Sequence, residues 1–180
     1  MTLWLVRHAQ PLIEPGVCYG ALDVPADASA TRLAAQALAA VLPLDVLVVS
    51  SPLQRCELLM QTLQALRPDL SYKTETCSAE INFGCWEGLR WSAIPRHEFD
   101  RWTADFWKHR FGGTESLADF MGRVAGVWDA ARHDGANTQA WITHAGVIRA
   151  AQLLAQGVRR IDHATQWSVC VPGFGQWCCL

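Results

Sequence analysis

Two short apolar runs, each broken off by a histidine, constrain this chain more than any other feature. Thr2 to Val6 reads TLWLV and stops at Arg7-His8; Gln139 to Thr143 reads QAWIT and stops at His144. Runs this short and this apolar read as buried strands. Open α/β sheets place their sites at the carboxyl ends of such strands. Two histidines that end two buried strands can therefore meet on one edge, however far apart they lie in the sequence.

The intervening chain supplies the helices that such a sheet needs. Residues 11–26 hold three prolines and two glycines and read as loop. Asp27 or Ser29 caps an Ala- and Leu-rich helix to about Leu42, and Pro43 stops it. Asp45 to Val49 is a second strand. Ser50-Ser51-Pro52 opens a helix to about Leu66, and Leu70 to Thr74 is a third strand. Residues 78–115 read as irregular or weakly helical. Ser116 to Arg132 is an amphipathic helix, with Leu117, Phe120, Val124, Val127 and Trp128 at helical spacing. After the Gln139 strand, Val147 to Gln156 is helical, and short strands follow at Ser168 to Val171 and Gln176 to Leu180. Strands alternating with helices predict an α/β fold, a three-layer α/β/α sandwich with a mostly parallel central sheet, as one domain over residues 1–180.

Composition narrows the function. The net charge is -2, so a broadly basic nucleic-acid surface is not expected. No run approaches the ~18 apolar residues of a membrane helix. The start reads directly into a strand, without a leader segment. Seven cysteines include no CxxC pair, so reduced thiols in a cytoplasmic protein are expected rather than a disulfide framework or a zinc site.

Arg7 adjoins His8, and Arg55 falls in the first turns of the helix that opens at Ser50-Ser51-Pro52. Helix N-termini attract anions. Two arginines, two histidines and a helix start on one sheet edge describe a phosphate pocket. His97, His109, His133 and His163 match no such pattern and read as solvated or packing residues. Ser50 and Ser51 read as helix caps, not nucleophiles.

Five segments, in order, carry a resemblance to a known family. Leu5-Val6-Arg7-His8-Ala9 resembles the opening signature of the histidine phosphatase superfamily, the phosphoglycerate mutase-like fold. Ser50-Ser51-Pro52-Leu53-Gln54-Arg55 is similar to its second motif. Glu80 to Gly88 resembles its ExxFGxWEG segment, Gly113-Thr114-Glu115-Ser116 with the helix to Arg123 its G-x-E-S segment, and Thr143-His144-Ala145-Gly146 its last motif. The resemblance implies a metal-independent phosphatase, without a cofactor, that forms phosphohistidine on His8. Arg7, Arg55 and His144 would hold the phosphate oxygens. Glu80 would protonate the leaving group and then activate water, so His8, Glu80 and His144 form the catalytic set. Glu87, seven positions on, is the rival acid and reads as structural. Glu14 stands where many relatives have an Asn on the phosphate.

The resemblance leaves three readings of activity. The lack of room for the insertion of phosphoglycerate mutases favours a phosphomonoesterase over a mutase-type phosphotransferase. A catalytically silent phosphate-binding regulator is disfavoured because every motif residue is present. The stretch Tyr19-Gly20-Ala21-Leu22-Asp23-Val24-Pro25 resembles the YGxxDxP segment of α-ribazole phosphatases, which points to a small phosphorylated metabolite such as α-ribazole 5'-phosphate in cobalamin biosynthesis. Gln10, Tyr19, Phe83 and Trp86 are the expected substrate-pocket residues. Residues 83–111 carry eight Phe and Trp in all. These read first as core and second as a stacking platform for a flat base.

Overall fold

The computed structural model describes residues 2–133 and 138–180. Five strands form one sheet: β1 (Thr2–Arg7), β2 (Leu47–Ser50), β3 (Ser71–Thr74), β4 (Thr138–Thr143) and β5 (Trp177–Cys179), in the order β3-β2-β4-β1-β5. All neighbours are parallel except β5, which runs antiparallel to β1 along the sheet edge. The helices are α1 (Ala28–Val41), α2 (Gln54–Leu66), α3 (Arg96–Ala104), α4 (Leu117–His133) and α5 (Ala145–Ala155).

Period-two alternation sends each strand into two cores. Leu3 and Leu5 of β1, Val49 of β2 and Trp141 of β4 pack with α4 and α5 on one face. Val6, Val48, Ala140 and Ile142 point the other way, against Ala35 and Leu38 of α1 and Leu59 and Leu63 of α2. With both faces covered, a central strand is largely apolar, as Leu3 to Val6 and Ala140 to Ile142 are, and the buried Gln139 and Thr143 at the ends of β4 find hydrogen-bond partners.

Several boundaries differ from the sequence reading. Ser50 still pairs in β2, and the Ser51 N–H extends the ladder to the Ile142 carbonyl at 3.0 Å, so α2 begins only at Gln54. Asp27, not Ser29, caps α1, its Oδ1 accepting the Ala30 N–H at 2.7 Å. Within residues 78–115 a true helix, α3, forms. Ser168 to Val171 does not form a strand. The free edge of β1 is taken by β5, and Val169 and Val171 instead bury their side chains against the α4–α5 core.

β1 and β4 pair in register, Arg7 opposite Thr143, so His8 and His144 leave adjacent strands at the same level. The His8 N–H continues the ladder to the Thr143 carbonyl at 3.0 Å. Above this edge lies the loop 18–24, which has no regular ladder of its own. Glu87 supplies the missing acceptors: its carboxylate takes the N–H groups of Gly20, Ala21, Leu22 and Phe83 at 2.8–3.2 Å. The rival carboxylate is thus a structural clamp, as its position after Glu80 implied. Glu87→Ala strands several partly buried donors and is expected to cost about 2–4 kcal/mol, read as a lower urea midpoint at unchanged m-value.

Candidate active site

His8 is 2% exposed at the end of β1. Its Nδ1 lies 2.7 Å from the carbonyl of Ala9. A carbonyl only accepts, so Nδ1 carries the proton and Nε2 keeps a free lone pair. Burial, then the positive charges of Arg55 and Arg7, push the imidazole pKa down to about 3. The ring is therefore neutral at physiological pH, the state that a nucleophilic nitrogen needs. Beside it, Arg7 donates from one terminal nitrogen to the Pro172 carbonyl at 3.1 Å. Its Nε is buried and has no protein partner.

Arg55, in the first turn of α2, is fully buried. Its guanidinium donates to the carbonyls of Leu22 and Gly20, at 2.9 and 2.5 Å, and from Nε to Nδ1 of His144 at 3.2 Å. His144 must then hold its proton on Nε2, which donates to Ser51 Oγ at 2.7 Å. Burial first, and Arg55 second, hold the His144 pKa well below its usual value. The two imidazoles lie 5.2 Å apart, centroid to centroid. His144 thus spends both nitrogens inside the protein and lies behind the cavity wall, where it fixes Arg55 and backs His8. Ser51 is its partner and caps only the Leu53 N–H, at 3.3 Å. The start of α2 is itself closed: Asp23 Oδ1 accepts the Gln54 N–H at 2.8 Å, so this N-terminus is not the free anion site that the sequence implied.

Glu80 approaches from the segment before the first short 3-10 turns of the aromatic region. Its two oxygens accept the N–H groups of Ile81 and Gly146, at 3.0 and 2.9 Å. A Cβ on Gly146 would sit 2.2 Å from the Glu80 carboxylate, so any side chain there would displace Glu80 from its present position. The G-x-E-S segment explains how Glu80 is held. Glu115 pairs with Arg123 at 2.7 Å and accepts the Asn82 N–H, while Arg123 donates to the carbonyls of Cys77, Ala79 and Glu80.

These groups open on one cavity of about 360 Å³, lined by Arg7, His8, Arg55 and Glu80 at its floor and by Tyr19, Phe83, Trp91, Trp102, Phe106 and Trp167 along its walls. Tyr19 and Phe83 are where the sequence put them. Gln10 is not: its side chain is exposed and reaches only the Pro11 carbonyl, because Asp27 and Pro25 tie the adjoining loop away from the site. Trp86 is not a lining residue either; it packs on Phe111, the buried centre of the aromatic cluster. Phe111 is core, and Trp102, stacked on Phe111 at 4.4 Å and on Phe106 at 5.4 Å, belongs to the same packed cluster and also lines the cavity. Glu14 lies outside the pocket in an exposed ion pair with Arg90, so it neither helps nor repels a phosphate.

Sequence reasoning missed Arg149, which lines the cavity from α5 and anchors its Nε to the Val169 carbonyl at 3.3 Å. Its spacing of four from Ala145, one helical turn above the His144 motif, was the available signal. It also missed Phe174, whose ring lies over both Arg7 and His8. Among the described residues, no cluster of three or more His, Cys, Asp or Glu side chains could hold a metal ion, and no helix is long and apolar enough to cross a membrane.

A buried imidazole with one free nitrogen, two guanidinia and a carboxylate facing one cavity define a phosphoryl-transfer site of the histidine type. The chain belongs to the histidine phosphatase superfamily (branch 1), whose family description matches residues 3–171, and it is a phosphatase. Phosphoserine phosphatase 1 of Hydrogenobacter thermophilus is 31% identical over 173 residues, which cover 92% of this chain and 80% of that protein. Among solved structures, a protein of Thermus thermophilus aligns with a TM-score of 0.71 and 28% identity, over 100% of this chain and 93% of its own. The mycobacterial glucosyl-3-phosphoglycerate phosphatase shares the fold, with a TM-score of 0.79 at 22% identity over 99% of this chain and 88% of its own.

The depressed pKa values make stability depend on pH. His8 titrates near 3 when folded and near 6.5 when unfolded, and His144 moves in the same direction. Between those values the unfolded chain binds the extra protons, so stability is full above about pH 6.5 and falls as the pH drops. The slope approaches about 1.4 kcal/mol per pH unit for each histidine. Urea unfolding at pH 7, 6 and 5 should show this loss, and His8→Asn should remove roughly half of it, the His144 share remaining.

Proposed function

We propose that this chain is a metal-independent phosphomonoesterase that passes a phosphoryl group through Nε2 of His8. The observation that carries the reading is the neutral, buried His8, with its one free nitrogen beside Arg7 and Arg55 and in the same cavity as Glu80. Nε2 attacks phosphorus in line with the leaving oxygen. The P–O bond breaks, its electrons stay on that oxygen, and Glu80 delivers the proton. Arg7 and Arg55 hold the non-bridging oxygens and balance their charge. Water then attacks the phosphohistidine, Glu80 takes its proton, and the P–N bond breaks to return neutral His8 and inorganic phosphate. His144 acts through Arg55 and His8, and meets the phosphate only if it releases Arg55 or Ser51. Seven free thiols agree with a cytoplasmic setting.

For the substrate, we favour a small phosphate ester whose alcohol carries a planar apolar body. The support is the wall of Trp91, Trp102 and Phe83 above the phosphate floor. α-Ribazole 5'-phosphate has that shape, and the Tyr19 to Pro25 stretch is what brings it forward. Arg149 favours a second reading, an ester with an acidic substituent, and phosphoserine, named for the Hydrogenobacter relative, is its natural test.

Hydrolysis of an aryl phosphate should survive excess EDTA, fall on the order of a thousandfold or more in His8→Ala, and leave an acid-labile label on histidine after a short pulse. Activity lost to EDTA overturns the mechanism. Trp102→Ala should raise the KM for α-ribazole 5'-phosphate by roughly five- to tenfold and leave phosphoserine unaffected. The converse pattern, with phosphoserine hydrolysis lost in Arg149→Met, would select the acidic substrate.

A further inference from the structure

The matched family region ends at residue 171, and the segment that follows it folds back onto the nucleophile. Residues 173–176 form a tight turn, closed by the Gln176 N–H on the Gly173 carbonyl at 3.1 Å. Phe174 and Gly175 are its central residues. Gly175 has φ +70°, the left-handed value that the third position of a type II turn requires. The Gln176 side-chain oxygen accepts the Gly173 N–H at 3.3 Å and tightens the turn further.

This turn grips Arg7 and His8 by their main chain. The Gly175 N–H is shared between the carbonyls of Arg7 and His8, at 3.1 and 3.0 Å, and the Arg7 N–H donates to the Gln176 carbonyl at 2.9 Å. The Pro172 carbonyl accepts one terminal N–H of the Arg7 guanidinium. The ring of Phe174 then covers what remains. The Arg7 guanidinium carbon lies 3.9 Å from its centroid, and the His8 imidazole lies 5.5 Å from it, opposite His144.

Stacking has a particular use here. A guanidinium that lies on an aromatic face spends no N–H group on that contact. The N–H groups that Pro172 and Tyr19 do not engage are left unspent, and the Arg7 Nε is buried without a protein partner. A carboxylate in place of the ring would hold Arg7 as firmly but would neutralise it and occupy its donors. An aliphatic side chain would fill the space without attracting the charge.

We propose that Phe174 is a positioning residue for phosphate: its ring holds the Arg7 guanidinium by its face, without engaging the N–H groups, and closes one side of the His8 imidazole. The proposal rests on the reading of this cavity as a phosphatase site. Loss of the aromatic face leaves Arg7 free to rotate, so phosphate meets a cation that must first be ordered.

The test compares Phe174→Leu, which keeps apolar bulk and removes the ring face, with Phe174→Tyr, which keeps both. Inorganic phosphate is titrated by calorimetry, and an aryl phosphate is assayed for KM and kcat; thermal midpoints report folding. Phe174→Leu should weaken phosphate binding roughly three- to tenfold and raise KM by a similar factor, with kcat changed by less than about twofold, while Phe174→Tyr stays near wild type. Should the leucine variant not fold, Phe174→Met takes its place. Wild-type affinity in the leucine or methionine variant, or equal weakening in the tyrosine variant, would overturn the proposal. Wild-type protein that binds no phosphate would instead overturn the reading of the cavity, and this proposal with it.

Discussion

A fully buried guanidinium with only neutral partners holds this site together. Arg55 gives its donors to two carbonyls and one imidazole nitrogen, and among the described residues no carboxylate forms an ion pair with it. Desolvating a cation is costly unless every donor is met and some anion eventually arrives. Much of the surrounding architecture serves those conditions. Glu87 gathers the N–H groups of residues 20–22 so that their carbonyls turn toward Arg55, and Asp23 ties the same loop to α2. Arg55 Nε donates to Nδ1 of His144 and so fixes its tautomer, and Ser51 Oγ takes the proton that Nε2 then carries. Burial first, and then the charge kept in this way, lower the pKa of both histidines. One unneutralised cation thus prepares the anion site and adds to the burial that keeps the nucleophile unprotonated.

The sheet was largely legible in the sequence. Strands buried on both faces are near-continuous apolar runs, so the cores of TLWLV and QAWIT stand out, and a parallel sheet puts their ends together. Arg7, His8, Arg55 and Glu80 could be placed because each sits in a motif whose flanking residues fix its element. The misreadings share a cause. Ser168 to Val171 has strand-forming residues, yet a strand needs an unoccupied edge, and Trp177–Cys179 occupies the edge of β1. Gln10 and Trp86 lie near site residues in sequence, but nearness along a loop does not determine which way a side chain turns.

Arg149 and Phe174 were missed for a different reason. The helical spacing of Arg149 puts it above the His144 motif, but its anchor is a carbonyl twenty residues further on, and Phe174 reaches Arg7 and His8 only through a turn that folds back on the first strand. The aromatic region shows the same limit. A row of Phe and Trp implies a hydrophobic cluster, but only packing decides that Phe111 is enclosed while Trp102 also lines the cavity.

β1 lies between β4 and β5. The strand that bears the nucleophile is made before the other four, and both of its neighbours are made last. During synthesis on the ribosome it has no partner until residues 138–143 emerge, and no cover over Arg7 and His8 until residues 172–179 follow. Contacts of such long sequence separation are slow to close. The strand therefore waits unpaired while the more than one hundred residues between it and β4 are made. The nucleophile is correspondingly inert throughout that interval: a nascent chain carries His8 long before it has a pocket in which to use it.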